Sequence, residues 1–197
     1  MKEHYYTEKP TSELRKSKIM ARLRGKEFTF VTGSGVFSIK KVDNGTILLI
    51  ENASIKGRVL DLGCGYGVVG IAIKKDFPDN EVVLSDINMR AVKLARENAK
   101  LNKVEVNIVQ GDMFSKVSGR FGTILLNPPQ NAGKKICFSM ISQSKEFLRE
   151  KGTLQLVARH QKGGRSLSKH MEEVFGNVDV IKRVGGFRVY ISVNEVV

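Results

Sequence analysis

The sequence predicts an α/β fold, a doubly wound sheet that is mostly parallel. Three observations predict it. From residue 57 onward, short apolar runs alternate with helical periods, as in a parallel sheet covered on both faces. A glycine-rich turn, Gly63 to Gly67, directly follows the first of these runs, which suits a strand-to-helix junction. Near the end of the chain, Gly185-Gly186 separates two β-rich runs, a hairpin that makes one strand antiparallel.

Taken in order, residues 1–45 stand apart from that rhythm and form a basic N-terminal extension, with the main domain at 46–197. Glu27 to Val31 and Val36 to Ile39 flank Thr32-Gly-Ser-Gly35, which predicts a small added β-hairpin. Thr46 to Ala53 reads as a connecting helix. Arg58 to Leu62 is the first core strand, followed by a helix near 67–76, and Glu81 to Ser85 is the second strand. Asn88 caps a helix from Met89 to Leu101, with apolar residues at Ala91, Val92, Leu94, Ala95 and Ala99. Val104 to Val109 and Phe121 to Leu126 are the next strands. A helix near 133–149 follows, then a strand from Gly152, a helix near 164–175, and the closing runs Val178 to Ile181 and Arg188 to Val193.

At 197 residues the chain is long enough for one domain with a sizeable core. Its apolar runs are too short to cross a bilayer, and the first residues carry no hydrophobic signal segment. Two cysteines, Cys64 and Cys137, make neither a disulfide framework nor a zinc cluster. These readings place the protein in the cytoplasm, without metal or membrane; the oligomeric state, monomer or homodimer, is left open by the sequence. The net charge of +13 is unevenly placed. Residues 1–41 hold 10 Lys/Arg against 4 Asp/Glu, residues 42–130 hold 11 against 10, and residues 131–197 hold 12 against 6. A nearly neutral centre is framed by basic flanks, a pattern suited to a phosphate-bearing partner.

The strand ends carry the chemistry. Asp61-Leu-Gly-Cys-Gly-Tyr-Gly67 ends the first core strand. Gly63, Gly65 and Gly67 let a ligand approach the backbone at a helix N-terminus. Two ligand classes fit this turn. Gly65-Tyr-Gly67-Val-Val-Gly70 satisfies the dinucleotide pattern, with Asp86 at the distance of a ribose-binding acid. Asp61 favours S-adenosylmethionine, because a carboxylate repels a pyrophosphate and attracts an ammonium and a sulfonium. Asp86, followed by Ile87, is placed to accept both ribose hydroxyls, and Asp112, beside Met113, to accept from an adenine amino group. Asn127 completes the series of strand-end groups, where ligands bind in doubly wound sheets.

Asn127-Pro128-Pro129-Gln130 follows the run Phe121 to Leu126. Each proline fixes φ and removes a backbone N–H. The loop offers carbonyl acceptors from Asn127 and Pro128, and the Asn127 side-chain oxygen beside them. Such acceptors suit an amino group with two hydrogens to place.

These residues resemble the class I S-adenosylmethionine-dependent methyltransferases with a Rossmann-like sheet. More narrowly they resemble the small-domain guanine-N2 methyltransferases of 16S ribosomal RNA. The resemblance runs over nearly the whole chain, through Ser34-Gly-Val-Phe-Ser38, Arg58 to Gly67, Asn127-Pro-Pro129, Ala132-Gly-Lys134, Phe175-Gly-Asn-Val178 and Gly185-Gly-Phe-Arg-Val189. Bacterial members carry an additional degenerate N-terminal domain, and this chain resembles the shorter archaeal form. Many relatives place Phe or Tyr after Asn-Pro-Pro to stack on the target base, where this chain has Gln130. The resemblance implies methylation of an exocyclic amine of RNA, guanine N2 in small-subunit ribosomal RNA. Adenine N6 and a protein glutamine amide remain alternatives, as does a non-catalytic or dinucleotide-binding module.

Methyl transfer of this kind needs positioning rather than a general base. Asn127, Pro128 and Pro129 are the candidate catalytic residues. The candidate cofactor residues are Asp61, Gly63, Cys64, Gly65, Gly67, Asp86, Ile87, Asp112, Met113 and Asn127. For the substrate, stacking falls to Phe37 or Phe187, a base-edge contact to Gln130, and phosphate contacts to Lys134 and Arg159. Lys135, Lys162, Arg165, Arg15, Lys16, Lys18, Arg22 and Arg24 are further phosphate candidates. Cys64 and Cys137 read as packed thiols. Phe28 and Phe30 read as core, His4 and His170 as surface residues, and His160 as a loop histidine.

Overall fold

The computed structural model describes residue 8, residues 13–129 and residues 132–195. Its main sheet has seven strands: β3 (Val59–Leu62), β4 (Val82–Asp86), β5 (Asn107–Gln110), β6 (Phe121–Leu126), β7 (Leu148–Arg159), β8 (Asp179–Val184) and β9 (Phe187–Val193). They lie in the order β5-β4-β3-β6-β7-β9-β8. Every pairing from β5 to β7 is parallel, and β9 runs antiparallel to both its neighbours. The helices are α1 (Asn44–Asn52), α2 (Val68–Asp76), α3 (Met89–Leu101), α4 (Lys134–Phe147) and α5 (Arg165–Phe175). A wide irregular turn, His160–Gly164, joins β7 to α5. Strand order reverses between β3 and β6, and the strand ends that form the cleft lie there. In open α/β sheets this is where ligands bind.

Two apolar clusters fill the two faces. One joins the faces of α1, α2 and α3 to β3 and β4. The other packs α4 and α5 against β6, β7 and Tyr190 of β9. All six residues of β6 are buried, which is why it reads as an unbroken apolar run rather than an alternating one.

The N-terminal hairpin is present, but its strands differ from the expectation. β1 (Lys16–Leu23) pairs antiparallel with β2 (Lys26–Gly33), and Val36 to Ile39 form no strand. The turn is Arg24-Gly25, both at positive φ (47° and 73°), the geometry a two-residue hairpin requires. β1 alternates buried Ile19 and Leu23 with exposed Lys18, Met20 and Arg22. Its apolar face joins the same cluster as the main sheet's helices.

The hairpin is fastened to α3 by two side-chain amides. Asn98 accepts from Val31 N at 2.6 Å and donates to Val31 O at 2.8 Å and Tyr66 O at 2.9 Å. Asn102 accepts from Thr29 N at 3.2 Å and donates to Thr29 O at 2.8 Å. Both amides satisfy backbone groups along the edge of β2 as another strand would. Asn98 also reaches the glycine loop through Tyr66, so the hairpin and the cleft share a support.

Two boundaries moved for local reasons. β5 begins at Asn107 rather than Val104 because Val104 N donates to Ala99 O and Lys103 N to Lys100 O, with Lys103 at φ 56°. This is a Schellman ending of α3 that uses lysine where glycine is usual. β7 begins at Leu148 rather than Gly152, with Leu148 opposite Phe121 ahead of an irregularity in the β6–β7 register.

Candidate active site

The sheet's carboxyl edge opens into a cleft whose empty space, open solvent included, is about 930 Å³. The floor comes from the ends of β3, β4 and β6: Asp61, Leu62, Ser85, Asp86 and Asn127 to Pro129. One wall is the glycine loop with Gly63, Cys64, Gly65 and Tyr66, and another is Ile87, Gly111, Met113 and Met140. The third wall comes from before the main sheet: Val36, Phe37, Ser38, Asp43 and Thr46.

The glycines divide into two roles. A Cβ on Gly65 would meet nothing within 4 Å, and on Gly63 only the Met140 methyl at 3.5 Å. Their backbone therefore faces open cleft. Gly67 begins α2 at φ 91°, and a Cβ there would lie 2.9 Å from Ile71 and 3.1 Å from Ala95. A Cβ on Gly70 would lie 2.6 Å from Leu84. Gly67 is outside the cleft lining; it and Gly70 let α2 pack closely on β4.

The cleft's electrostatics are one-sided. Asp43, Asp61 and Asp86 line it, and none of the described lining residues is Lys, Arg or His. Asp61 is buried and accepts from Gly70 N at 2.8 Å. Burial pushes its pKa up to about 7, opposed by that amide and reinforced by the charge of Asp86. Asp86 accepts from Gly65 N at 2.7 Å and from Asn88 N at 2.8 Å. Burial pushes it up to about 6 against the pull of its amide donors. Each oxygen retains capacity for another hydrogen bond. Two such carboxylates at the mouth of α2 would repel a pyrophosphate. They suit a ligand with a cationic end and hydroxyl or ammonium donors, so the residues present fit S-adenosylmethionine.

Neither thiol is poised for nucleophilic attack. Cys64 and Cys137 are buried and unpaired. Burial raises Cys64 well above its ordinary value, and the charges of Asp86 and Asp61 raise it further. Burial likewise raises Cys137. The thiolate is the reactive form, so both are packed side chains.

At the end of β6, Asn127 donates from Nδ2 to Thr46 Oγ1 at 2.9 Å. Thr46 sits in the first turn of α1, whose cap is Asp43, accepting from Thr46 N at 3.1 Å. The Pro129 carbonyl is taken by Ala132 N at 2.8 Å. That turn leaves the Asn127 and Pro128 positions to serve the cleft.

The other candidates fall in different places. Phe37 lines the cleft mouth and is 40 % exposed. Asp112 is exposed and outside the lining, which takes Gly111 and Met113 from that loop. Phe187 packs so closely on α1 that a Cβ on Gly45 would lie 2.9 Å from its ring. The Arg159 guanidinium lies 4.6 Å from the Phe187 ring centre. This pair stands behind Asp43 and Thr46 rather than in the cleft. Lys134 lies with Lys135 on a shallow groove between α4 and α5, where Phe138 and His170 stack at 4.3 Å. His170 is half-buried there rather than free on the surface, and its Nε2 is 2.9 Å from Ser142 Oγ. His160 pairs through Nδ1 with the Tyr190 hydroxyl at 2.7 Å. Gln130 and His4 lie outside the described residues.

Several basic candidates are engaged in the fold. Arg24 pairs with Asp76 and donates to Ile50 O at 2.8 Å, and Lys16 pairs with Glu97 at 2.6 Å. Lys18 and Arg22 are exposed on β1. Sequence reasoning missed Asp43, Thr46, Ser38, Tyr66, Ser85 and Met140 in the cleft. Only Asp43-x-x-Thr46 carried a local signal, as a helix cap.

Comparison with known proteins shows the family and the fold. The family model described as "Methyltransferase small domain" matches residues 27–191. An uncharacterized Bacillus subtilis protein, YbxB, is 42 % identical over 193 residues, covering 95 % of this chain and 96 % of its own length. A relative of nearly the same extent is therefore bacterial. Ribosomal RNA small subunit methyltransferase C of Haemophilus influenzae is 35 % identical over 162 residues, covering 79 % of this chain and 48 % of that protein. The chain thus spans about half the length of such relatives. A T. thermophilus 16S rRNA N2 methyltransferase (RsmC), solved in complex with AdoMet and guanosine, superposes with a TM-score of 0.80 at 25 % identity, covering 94 % of this chain and 52 % of that one.

Proposed function

The chain belongs to the methyltransferase small-domain family, whose cofactor is S-adenosylmethionine, and from that premise we propose that it methylates an exocyclic amine of RNA, guanine N2 in small-subunit ribosomal RNA. The observation that carries this reading is the acceptor cluster at the end of β6. With Nδ2 of Asn127 engaged by Thr46, its Oδ1 is left as an acceptor, and Asn127 and Pro128 both line the cleft. The names of the ribosomal RNA relatives and of the guanosine complex support the same substrate class.

The cofactor supplies a methyl group on a positively charged sulfur. Asp61 would hold the cationic end, Asp86 the ribose hydroxyls, and Ile87 and Met113 would flank the adenine, all four lining the cleft. Gly63, Cys64 and Gly65 present backbone at close approach. A guanine N2 is a poor nucleophile because its lone pair is delocalised into the ring. Asn127 Oδ1 and the Pro128 carbonyl accept its two hydrogens and turn the lone pair toward the methyl group. Rate then comes from in-line placement and from fixed dipoles around the nitrogen. No side chain need remove a proton before attack, and the methylated nitrogen sheds its extra proton to solvent afterwards; none of the described lining residues is His or Lys. Phe37, at the mouth, offers a stacking surface for a base splayed out of the RNA. Exposed Lys18, Arg22, Lys134 and Lys135 offer phosphate contacts.

The test is transfer of labelled methyl into unmodified small-subunit ribosomal RNA, free and assembled into subunits, with identification of the product nucleoside. N2-methylguanosine is expected. Methylation of adenine, or of a protein glutamine with the RNA unlabelled, would replace the guanine assignment.

A further inference from the structure

We propose that Asp43 reads the Watson–Crick edge of the target base, accepting from guanine N1–H and thereby selecting guanine over adenine. The inference rests on the reading of the cleft as a guanine-N2 methyltransferase site and extends it to a residue described so far only as a helix cap.

Asp43 lines the cleft on the same wall as Phe37. It is tied to the amine-binding end through one residue: its Oδ2 accepts from Thr46 N at 3.1 Å, and the hydroxyl of the same Thr46 accepts from Asn127 at 2.9 Å. Thr46 thus links the carboxylate to the Asn127 amide, and all three residues line the same cleft. Among the described residues, the Thr46 amide is the one side-chain or backbone donor the Asp43 carboxylate accepts from. Its second oxygen is available to a ligand.

Guanine and adenine differ where this oxygen would act. Guanine carries the N2 amino group and the N1–H donor next to each other, and adenine presents a lone pair at N1. A carboxylate only accepts. With N2 held by Asn127 and Pro128, the proposal seats the base with N1–H toward Asp43, the lining carboxylate that Thr46 links to Asn127. The N1 lone pair of adenine would face the carboxylate's own lone pairs. A site built to satisfy a donor rejects the analogue that lacks it far more strongly than an apolar pocket does. None of the described lining residues is a cation that would neutralise Asp43.

The test uses Asp43→Asn, because asparagine caps a helix as well as aspartate does and can donate as well as accept. Small-subunit RNA is prepared with guanine or, by ligation, 2-aminopurine at the methylated position, and assembled into subunits. 2-Aminopurine retains the amino group but has a lone pair at N1. The wild-type protein is expected to prefer guanine strongly, and Asp43→Asn to shrink that preference by about tenfold or more. Affinity for S-adenosylhomocysteine should stay unchanged. Equal losses on both bases, or a tenfold loss of S-adenosylhomocysteine affinity, would overturn the assignment and make Asp43 a structural cap or a cofactor contact. No methylation of guanine by the wild-type protein would instead overturn the reading on which the inference rests.

Discussion

The side-chain amide of Asn127 donates to the hydroxyl of Thr46 at 2.9 Å. This bond orients an amide whose two ends have opposite hydrogen-bonding character, and it spans 81 residues of sequence. Removing the hydroxyl in Thr46→Val strands a part-buried N–H, at a cost of about 1–3 kcal/mol. It also frees the amide to present nitrogen instead of oxygen. We expect kcat to fall by roughly ten- to a hundredfold, with S-adenosylhomocysteine affinity nearly unchanged and Thr46→Ser restoring most of the rate. Asn127→Ala should abolish transfer while leaving cofactor binding within about tenfold. Single-turnover kinetics and calorimetry separate these effects. An active Asn127→Ala protein would remove the amine clamp from the mechanism.

Cofactor binding should depend on pH with a definite sign. Asp61 is pushed up to about 7 and Asp86 up to about 6. A ligand with a cationic end binds the ionised carboxylates better, so binding releases protons. Affinity should rise from about pH 5 to about pH 8 and then level off. Stability of the unliganded protein runs the other way. Both folded values lie above the carboxylate's ordinary value of 3.8. Their stabilising contribution is complete below about pH 4 and is lost as pH rises through about 6 to 7. Calorimetry in buffers of different ionisation heat counts the protons. A flat affinity profile would mean the carboxylates do not titrate on binding. Asp61→Asn should flatten the stability profile.

The cleft's floor was legible in the sequence and its third wall was not. Asp61, Asp86 and Asn127 each end an apolar run, so a strand-by-strand reading brings them to one edge. Asn88 was legible as a cap and does accept from Arg90 N and Ala91 N. Asp43 and Thr46 reach the cleft only because α1 packs against β7 and β9, a tertiary fact with no local trace. The hairpin was misplaced because its turn is Arg24-Gly25. Arginine at a positive-φ position hides the Asn-Gly or Asp-Gly signal on which such turns are recognised. β1's basic residues further disguised its alternation. Asp112 illustrates the opposite limit. A post-strand acid resembles a ligand in sequence, yet here the loop turns Gly111 and Met113 inward.

Asn98 should matter for stability more than a polar helix residue ordinarily does. Its amide satisfies Val31 N, Val31 O and Tyr66 O, with no exposure to solvent. Asn98→Ala leaves those backbone groups buried without a partner, at about 1–3 kcal/mol each. We expect a fall in Tm of several degrees, at about 2–4 °C per kcal/mol for a chain of this size. Because Tyr66 belongs to the glycine loop, cofactor affinity should fall as well. Asn98→Asp keeps the acceptor but loses both donated bonds, and should lie no higher in stability than the wild type at any pH above 5.

RNA binding should weaken steeply with salt, because released counterions drive the association of basic side chains with phosphate. Removing Lys134 and Lys135 together should lower the slope of log affinity against log salt by about one for each phosphate that the pair neutralises. The lysine pair lies on the α4–α5 groove, apart from the cleft lining. Methyl transfer at saturating RNA should therefore persist. A salt-independent affinity, measured by filter binding from low to moderate ionic strength, would rule out the basic flanks as the docking surface.

Gly65 and Gly122 should separate function from folding. A Cβ on Gly65 meets nothing in the protein, although φ is +55°. Gly65→Ala costs the left-handed backbone strain, about 1–2 kcal/mol, and places a methyl group where the cofactor approaches. Folding should survive while cofactor affinity collapses. A Cβ on Gly122 lies 2.2 Å from the Lys56 carbonyl oxygen and 3.4 Å from Gly57 Cα. Both are backbone atoms at the chain's entry to β3, and no rotamer relieves the clash. Gly122→Ala must therefore shift β6 or the 56–57 turn, at about 1–3 kcal/mol or more. Thermal denaturation with and without S-adenosylhomocysteine distinguishes the two. Gly122→Ala should melt lower yet still be stabilised by ligand, and Gly65→Ala should lose the ligand-induced shift. The reverse pattern would place Gly65 outside the cofactor's path.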